Sequence, residues 1–262
     1  MRHTALTCVV LAAVVLLSQS LAETQGRGAE TQAPPPSPQA AAPIDLTGYW
    51  VAIVTEDWRW RMVTPPKGDY ASVPLNDAGR KVADTWDISK DGRCEAYGAA
   101  ALLRMPTRLR ITWESSSILR IDTDAGQQTR RLLFDKSRQP PTAHSLQGFS
   151  LAEWERPARA GGGGGGGRGG GPQTGPAPGA NLKVLTTRLT GGWLRKNGVP
   201  YSEGAVITEY FDRFAAPNAD EWLAVTTIVT DPKYLNQDFV TSSHFKKEVD
   251  GSKWSPSPCK AG

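Results

Sequence analysis

Histidine and cysteine are scarce in this chain of 262 residues, at three each, and the scarcity removes several chemistries at once. Zinc and iron sites draw on these residues at close, fixed spacings. His3, His144 and His244 lie far apart, and Cys8, Cys94 and Cys259 contain no CxxC pair, so no metal site is expected. Nucleophilic catalysis is weakened for the same reason. No Gly-x-Ser-x-Gly elbow occurs, and Ser242 and His244 sit in a strand-like run where residues two apart ordinarily share a surface face. Blocks of like charge are missing too: the formal charge of +4 is spread over interspersed signs, which leaves no footprint for nucleic acid or a charged membrane surface. The glycine run is not followed by a helical pattern, so no phosphate-cradling loop and no cofactor are expected.

Long apolar runs are also absent, and no integral membrane segment is expected. The run Val9 to Leu17 falls short of the roughly 20 residues that a membrane-spanning helix needs. With Arg2 before it and Ser20-Leu21-Ala22 after it, the run reads instead as a secretory signal over residues 1–22. Cleavage near Ala22 would deliver a periplasmic or secreted chain. In that oxidising setting Cys94 and Cys259 either form a disulfide, joining the chain's end to its middle, or remain two free thiols.

Two segments have too few large apolar side chains to offset the entropy of ordering them. Residues 23–43, rich in Ala, Gln and Pro, read as a disordered tether, and residues 156–180, with seven consecutive glycines from Gly161 to Gly167, as a disordered loop. The loop is expected to interrupt one β domain over 44–259 rather than to separate two, because the part after it holds only a few strands. Closure entropy grows only logarithmically with loop length, so such an insertion is tolerated.

The remainder is dominated by period-two alternation. Strands are expected at 49–55, 58–63, 108–114, 118–123, 129–134, 150–155, 182–189, 205–214, 222–230 and 239–246, with turns marked by Gly, Asn, Asp and Pro. Only Asn76 to Trp86 reads as a helix, with Asn76 as its N-cap. About ten strands and one short helix predict an all-β, antiparallel barrel or sandwich.

Gly48-Tyr49-Trp50, opening the first strand, resembles the Gly-x-Trp signature at the start of lipocalin barrels. A broader likeness covers most of the folded part. Through DGRCEAYG, IDTDAG, LQGFSLAEWE, NGVPYSEGAVITEYFDR, VTDPKYLNQDFVTSSHF and the late cysteine, the chain resembles a large family of exported, β-rich bacterial proteins of unknown function, common in acidobacteria and proteobacteria. The resemblance implies a shared fold and carries no activity. Where members often read Pro-His-Ser-Glu, this chain has Pro200-Tyr201-Ser202-Glu203, so chemistry needing that histidine is not implied here.

Three groups of residues are candidates for function. As strand residues, Glu56, Trp58 and Trp60 share a face with Trp50, which places a carboxylate among aromatics, and Glu209 shares a face with Ile207 and Phe211. Two inward carboxylates can serve as general acid and base, or each can be neutralised by an inward arginine, for which Arg188 and Arg213 are available. Trp50 and Trp113 lie among alternating aliphatics and read as core, whereas Trp58 and Trp60 are pocket candidates. The loop WLRKNGVPYSEG gathers Arg195, Lys196, Tyr201 and Glu203, suited to an acidic ligand or simply a solvated hairpin end. The leading expectation is a barrel that binds a small apolar or aromatic ligand. An acid/base hydrolase or isomerase using Glu56 and Glu209, and an envelope-associated interaction module, are the alternatives.

Overall fold

The computed structural model describes residues 34–92, 94–155 and 180–260. The expected signal, the tether up to residue 33 and the glycine-rich loop over 156–179 lie outside the described residues.

Eleven strands form: β1 Gly48–Ile53, β2 Arg108–Ser115, β3 Ile118–Thr123, β4 Thr129–Leu133, β5 Phe149–Glu155, β6 Asn181–Thr187, β7 Gly192–Arg195, β8 Val199–Tyr201, β9 Val206–Ala215, β10 Glu221–Thr230 and β11 Phe239–Glu248. Nine of them close a barrel in the order β1-β11-β10-β9-β6-β5-β4-β3-β2, and β7 and β8 form a separate hairpin. The sheet is therefore a barrel rather than a sandwich. Neighbours run antiparallel except β4 and β5, a parallel pair joined through only Leu132 opposite Ser150 and Leu133 opposite Leu151.

Alternation assigns each strand one inward face. Leu109 and Ile111 of β2, Leu119 and Ile121 of β3, Leu223 and Val225 of β10, and Phe245 of β11 meet Trp50 and Phe211 in one buried cluster. Burying such a side chain contributes about 1.5–3 kcal/mol, which sets the register because a one-residue slip would turn the whole row outward. At this end Trp113, Phe134 and Trp154 stack at 5.5 and 5.4 Å, so Trp113 packs at the rim of the core.

The chain before β1 closes that end. The Trp154 indole donates to Pro38 O at 2.9 Å, Gln39 N donates to Ser116 O at 3.1 Å, and Ile44 and Leu46 are buried in the cluster. The tether expected through Pro43 is corrected here: the turn starting at Ser37 is held on the barrel because the stacked aromatics offer it an apolar seat and an indole donor.

A second cluster, including Leu75, Leu194, Tyr201, Ile207 and Phe239, fills the opposite end. It is covered by the β7–β8 hairpin and by α2, Asp77–Thr85, which follows the helical turn α1, Trp58–Arg61, and precedes α3, Ala99–Leu102. Asn76 caps α2 by accepting from Gly79 N at 2.9 Å, as its position before the periodic run led one to expect. Gly79 has to be glycine: a Cβ there would lie 2.5 Å from Tyr234 O.

The strand expected at 58–63 is corrected to the helical turn α1. The reason is topological, since β1 already pairs with β2 and β11 and the closed barrel has no further edge to offer. The chain turns instead, with Trp60 N and Arg61 N donating to Asp57 O at 2.9 and 3.0 Å. Cys94 and Cys259 are joined as a disulfide with Cα atoms 5.2 Å apart. No helix among the described residues is long and apolar enough to cross a membrane.

Candidate functional site

The middle of the barrel is occupied by an ion pair. Arg130, inward from β4 and fully buried, meets the equally buried Glu209 of β9 through two hydrogen bonds, Nη1 to Oε1 at 2.8 Å and Nη2 to Oε2 at 2.5 Å. Its Nη2 also donates to Thr186 Oγ1 at 3.2 Å, and Thr186 in turn meets Ser150 Oγ at 2.8 Å. The expected inward arginine is thus present, but it is neither Arg188 nor Arg213, whose partner is Glu221 on the neighbouring strand. Glu209 is enclosed by this pairing and by the apolar layers above and below it.

Glu56 lies outside the barrel wall, beyond the end of β1. Its carboxylate meets His244 Nδ1 at 2.6 Å, and the side chain is half-exposed. Glu56 and Glu209 are therefore on opposite sides of the wall and share no site, so the alternative in which they act together as acid and base is not met. Trp58 projects to solvent at 60 % exposure, because the α1 turn rotates it away from the face it would have shared with Trp50 in a strand. Tyr201 is core: its ring is buried among the apolar residues under the hairpin, and its hydroxyl, packed where Gly98 and Gly192 leave room, has no hydrogen-bond partner among the described residues. Burial, with Glu95's charge adding to it, pushes that phenol well above the ordinary tyrosine range. Glu203 is exposed beyond the hairpin. Of the seven residues expected to bind a ligand, Trp60 and Arg195 come together.

They meet in a cavity of about 140 Å³ at the barrel end where β1 finishes and β2 begins, lined also by Arg61, Tyr97, Arg104 and Lys196. Three of its lining residues are arginines, Arg61, Arg104 and Arg195, at 7, 9 and 4 % exposure. Each is held in place through neutral or weak partners. Arg61 donates from Nε to Arg104 O at 2.9 Å and from Nη1 to Ile53 O at 2.7 Å. Arg195 donates from Nη1 to Ala71 O at 2.6 Å and lies 5.2 Å from the centre of the Trp60 ring. Arg104 reaches Asp57, a partly exposed carboxylate, at 3.3 Å. Lys196 donates to Tyr97 Oη at 3.2 Å.

The electrostatics follow from this crowding. Burial, and then the neighbouring Arg104 charge, pulls Arg195 down to about 10, and the same two causes in the same order lower Arg61. Arg195 stays protonated near neutral pH. Arg61 Nη2, Arg195 Nε and Trp60 Nε1 are buried donors with no partner among the described residues, and such donors are rare in folded proteins. The pocket thus offers fixed positive charge and two aromatic walls, which suits a small polar or anionic group attached to a flat body. A wider groove of about 820 Å³ runs outside the β4–β5 junction, but there Arg131 is neutralised by Glu114 at 2.8 Å.

Sequence reasoning missed Arg61, Tyr97 and Arg104. Arg104 had a signal, as a charge closing the apolar run Ala99 to Leu103; Arg61 and Tyr97 had none, because their position depends on the α1 turn and on the Cys94–Cys259 link beside Tyr97. Comparison of the chain with protein-family models, with curated proteins and with solved structures finds no match.

Proposed function

We propose that this protein is an exported barrel that binds a small molecule in the pocket at the end of the barrel, with the barrel itself serving as a scaffold. The observation that carries this reading is the convergence of three buried arginines on one cavity beside Trp60 and Tyr97. Charges held that far from water destabilise a fold unless something compensates them, so a site of this kind is maintained for what it holds. Export is supported by the signal-like start and agrees with the Cys94–Cys259 disulfide. The interior supports no larger ligand, since apolar clusters and the Arg130–Glu209 pair fill it.

Native mass spectrometry of the full chain, recovered from the envelope fraction of its own cells, tests the reading. A retained small molecule is expected, and it should be lost from an Arg195→Leu variant that keeps its fold. An empty spectrum, together with no quenching of tryptophan fluorescence by small aromatic compounds, would sink the proposal.

A further inference from the structure

The charges of the pocket do not balance, and the imbalance names a ligand class. Arg61 and Arg195 direct their hydrogen bonds to carbonyl oxygens of Arg104, Ile53 and Ala71, which orient a guanidinium without neutralising it. The acids within reach are engaged elsewhere or wet: Asp69 pairs with exposed Arg59 at 2.9 Å, Glu56 with His244, and Asp57 stands partly in solvent beside Arg104. Lys196 adds a further cation, bound to a phenol rather than a carboxylate. Buried cations are normally paired, and here the protein supplies less negative charge than the pocket holds positive. We propose that the ligand carries an oxyanion, a carboxylate or a phosphate, which enters the pocket and meets the positive charge that Arg61, Arg104, Arg195 and Lys196 supply around it. This rests on the pocket being the binding site.

The geometry favours an oxyanion over a halide or a neutral polar group. Guanidinium donors lie in a plane and match the paired oxygens of a carboxylate or phosphate. The carbonyl contacts fix two of the three guanidinium groups before any ligand arrives, which lowers the entropy lost on binding. A cavity of about 140 Å³ has room for the anionic head with a small flat body, not for a long chain. Trp60 and Tyr97 border that remaining space.

The experiment uses the intact protein and three matched probes: benzoate, phenyl phosphate and the neutral benzamide. Binding is followed by the indole N–H signals in two-dimensional NMR, with Trp60 identified from a Trp60→Phe sample, at constant ionic strength. Benzoate, phenyl phosphate or both should shift the Trp60 signal and bind about ten- to hundredfold more tightly than benzamide, the difference expected for charge-assisted hydrogen bonds. Which of the two anions binds more tightly separates a carboxylate ligand from a phosphate. Arg61→Gln and Arg195→Gln should each weaken the anion and leave benzamide little changed. If benzamide binds at the Trp60 signal as well as the anions do, the oxyanion inference is overturned while the pocket remains the binding site. No shift with any probe would overturn both. Should the variants fail to fold, the anion-to-amide ratio on the unaltered protein still decides the matter.

Discussion

Glu209 is held in the centre of the barrel by two hydrogen bonds from Arg130, and removing either partner strands the other. Arg130→Met should lower stability by about 3–5 kcal/mol, the cost of leaving one member of a buried pair uncompensated. Arg130→Met combined with Glu209→Leu should recover most of that loss, as read from urea unfolding midpoints; a double variant as unstable as the sum of its singles would show that the pair does more than neutralise itself. Tyr201 offers the opposite sign. Its hydroxyl is buried without a partner among the described residues, so Tyr201→Phe should be neutral or raise stability by about 1 kcal/mol, and a clear loss would mean that the hydroxyl is bonded. These residues are unevenly legible in the sequence. That Glu209 points inward was legible from its alternation with Ile207 and Phe211, whereas its partner was not: Arg130 comes from β4, and only barrel closure sets it opposite β9. The nearer candidates are excluded by local geometry, Arg188 by its exposure past the end of β6 and Arg213 by its pairing with Glu221.

Nine of the ten expected strands form, because each has two flanking partners and a buried alternating face that propensity and pattern both favour. The exception at 58–63 shows what alternation leaves out: WRWR satisfies period two as sequence, but a strand also needs a neighbour with free hydrogen-bonding groups. The β7–β8 hairpin is not legible as strands, because segments of four and three residues carry too little pattern to stand out. Asn76, by contrast, was legible as a cap, and Asn76→Ala should cost about 1 kcal/mol or somewhat more, since its Nδ2 also donates to Lys233 O at 3.1 Å. The β2–β3–β4 ladder should be acid-sensitive. Asp122 of β3 joins Arg110 of β2, Arg120 beside it and Thr129 of β4. Burial pushes its carboxyl up, but the hydrogen bonds from Arg120, Thr129 and Arg110 outweigh this and hold it below the ordinary aspartate range. A carboxyl depressed in the folded state stabilises the protein above its unfolded value and loses that contribution as pH falls through the folded value. Stability should therefore decline on acidification below about pH 4, and Asp122→Asn should flatten that part of a stability-against-pH profile; an unchanged slope would place the acid sensitivity elsewhere.

On the scale of the whole molecule, the disulfide decides how the pocket end is assembled. Composition allowed Cys94 and Cys259 to be paired or free, and only the folded path of the last segment brings their Cα atoms within 5.2 Å. That path is fixed independently by Ser257 N donating to Asp124 O and Gly126 N donating to Ser257 O, both at 2.9 Å. The bond spans 165 residues of chain and so encloses β2 to β11, which makes its effect on the unfolded ensemble large. The Cys94→Ser, Cys259→Ser double variant should lose about 2–4 kcal/mol in urea unfolding, the usual range for a native bridge, while the nine-stranded barrel still forms around its own core. The loss should not be uniform. Tyr97, three residues from Cys94, is packed with Met105, Trp193 and Cys259 and forms one wall of the pocket. Amide exchange should accelerate first around Tyr97 to Met105 and in the C-terminal segment, with β9 to β11 protected until global unfolding. The same variant should bind the pocket's ligand more weakly, because the wall carrying Tyr97 and the hydroxyl that holds Lys196 would be ordered only on binding. If exchange instead rose evenly through the barrel strands, the bridge would be a constraint on the whole fold rather than a brace for its binding end.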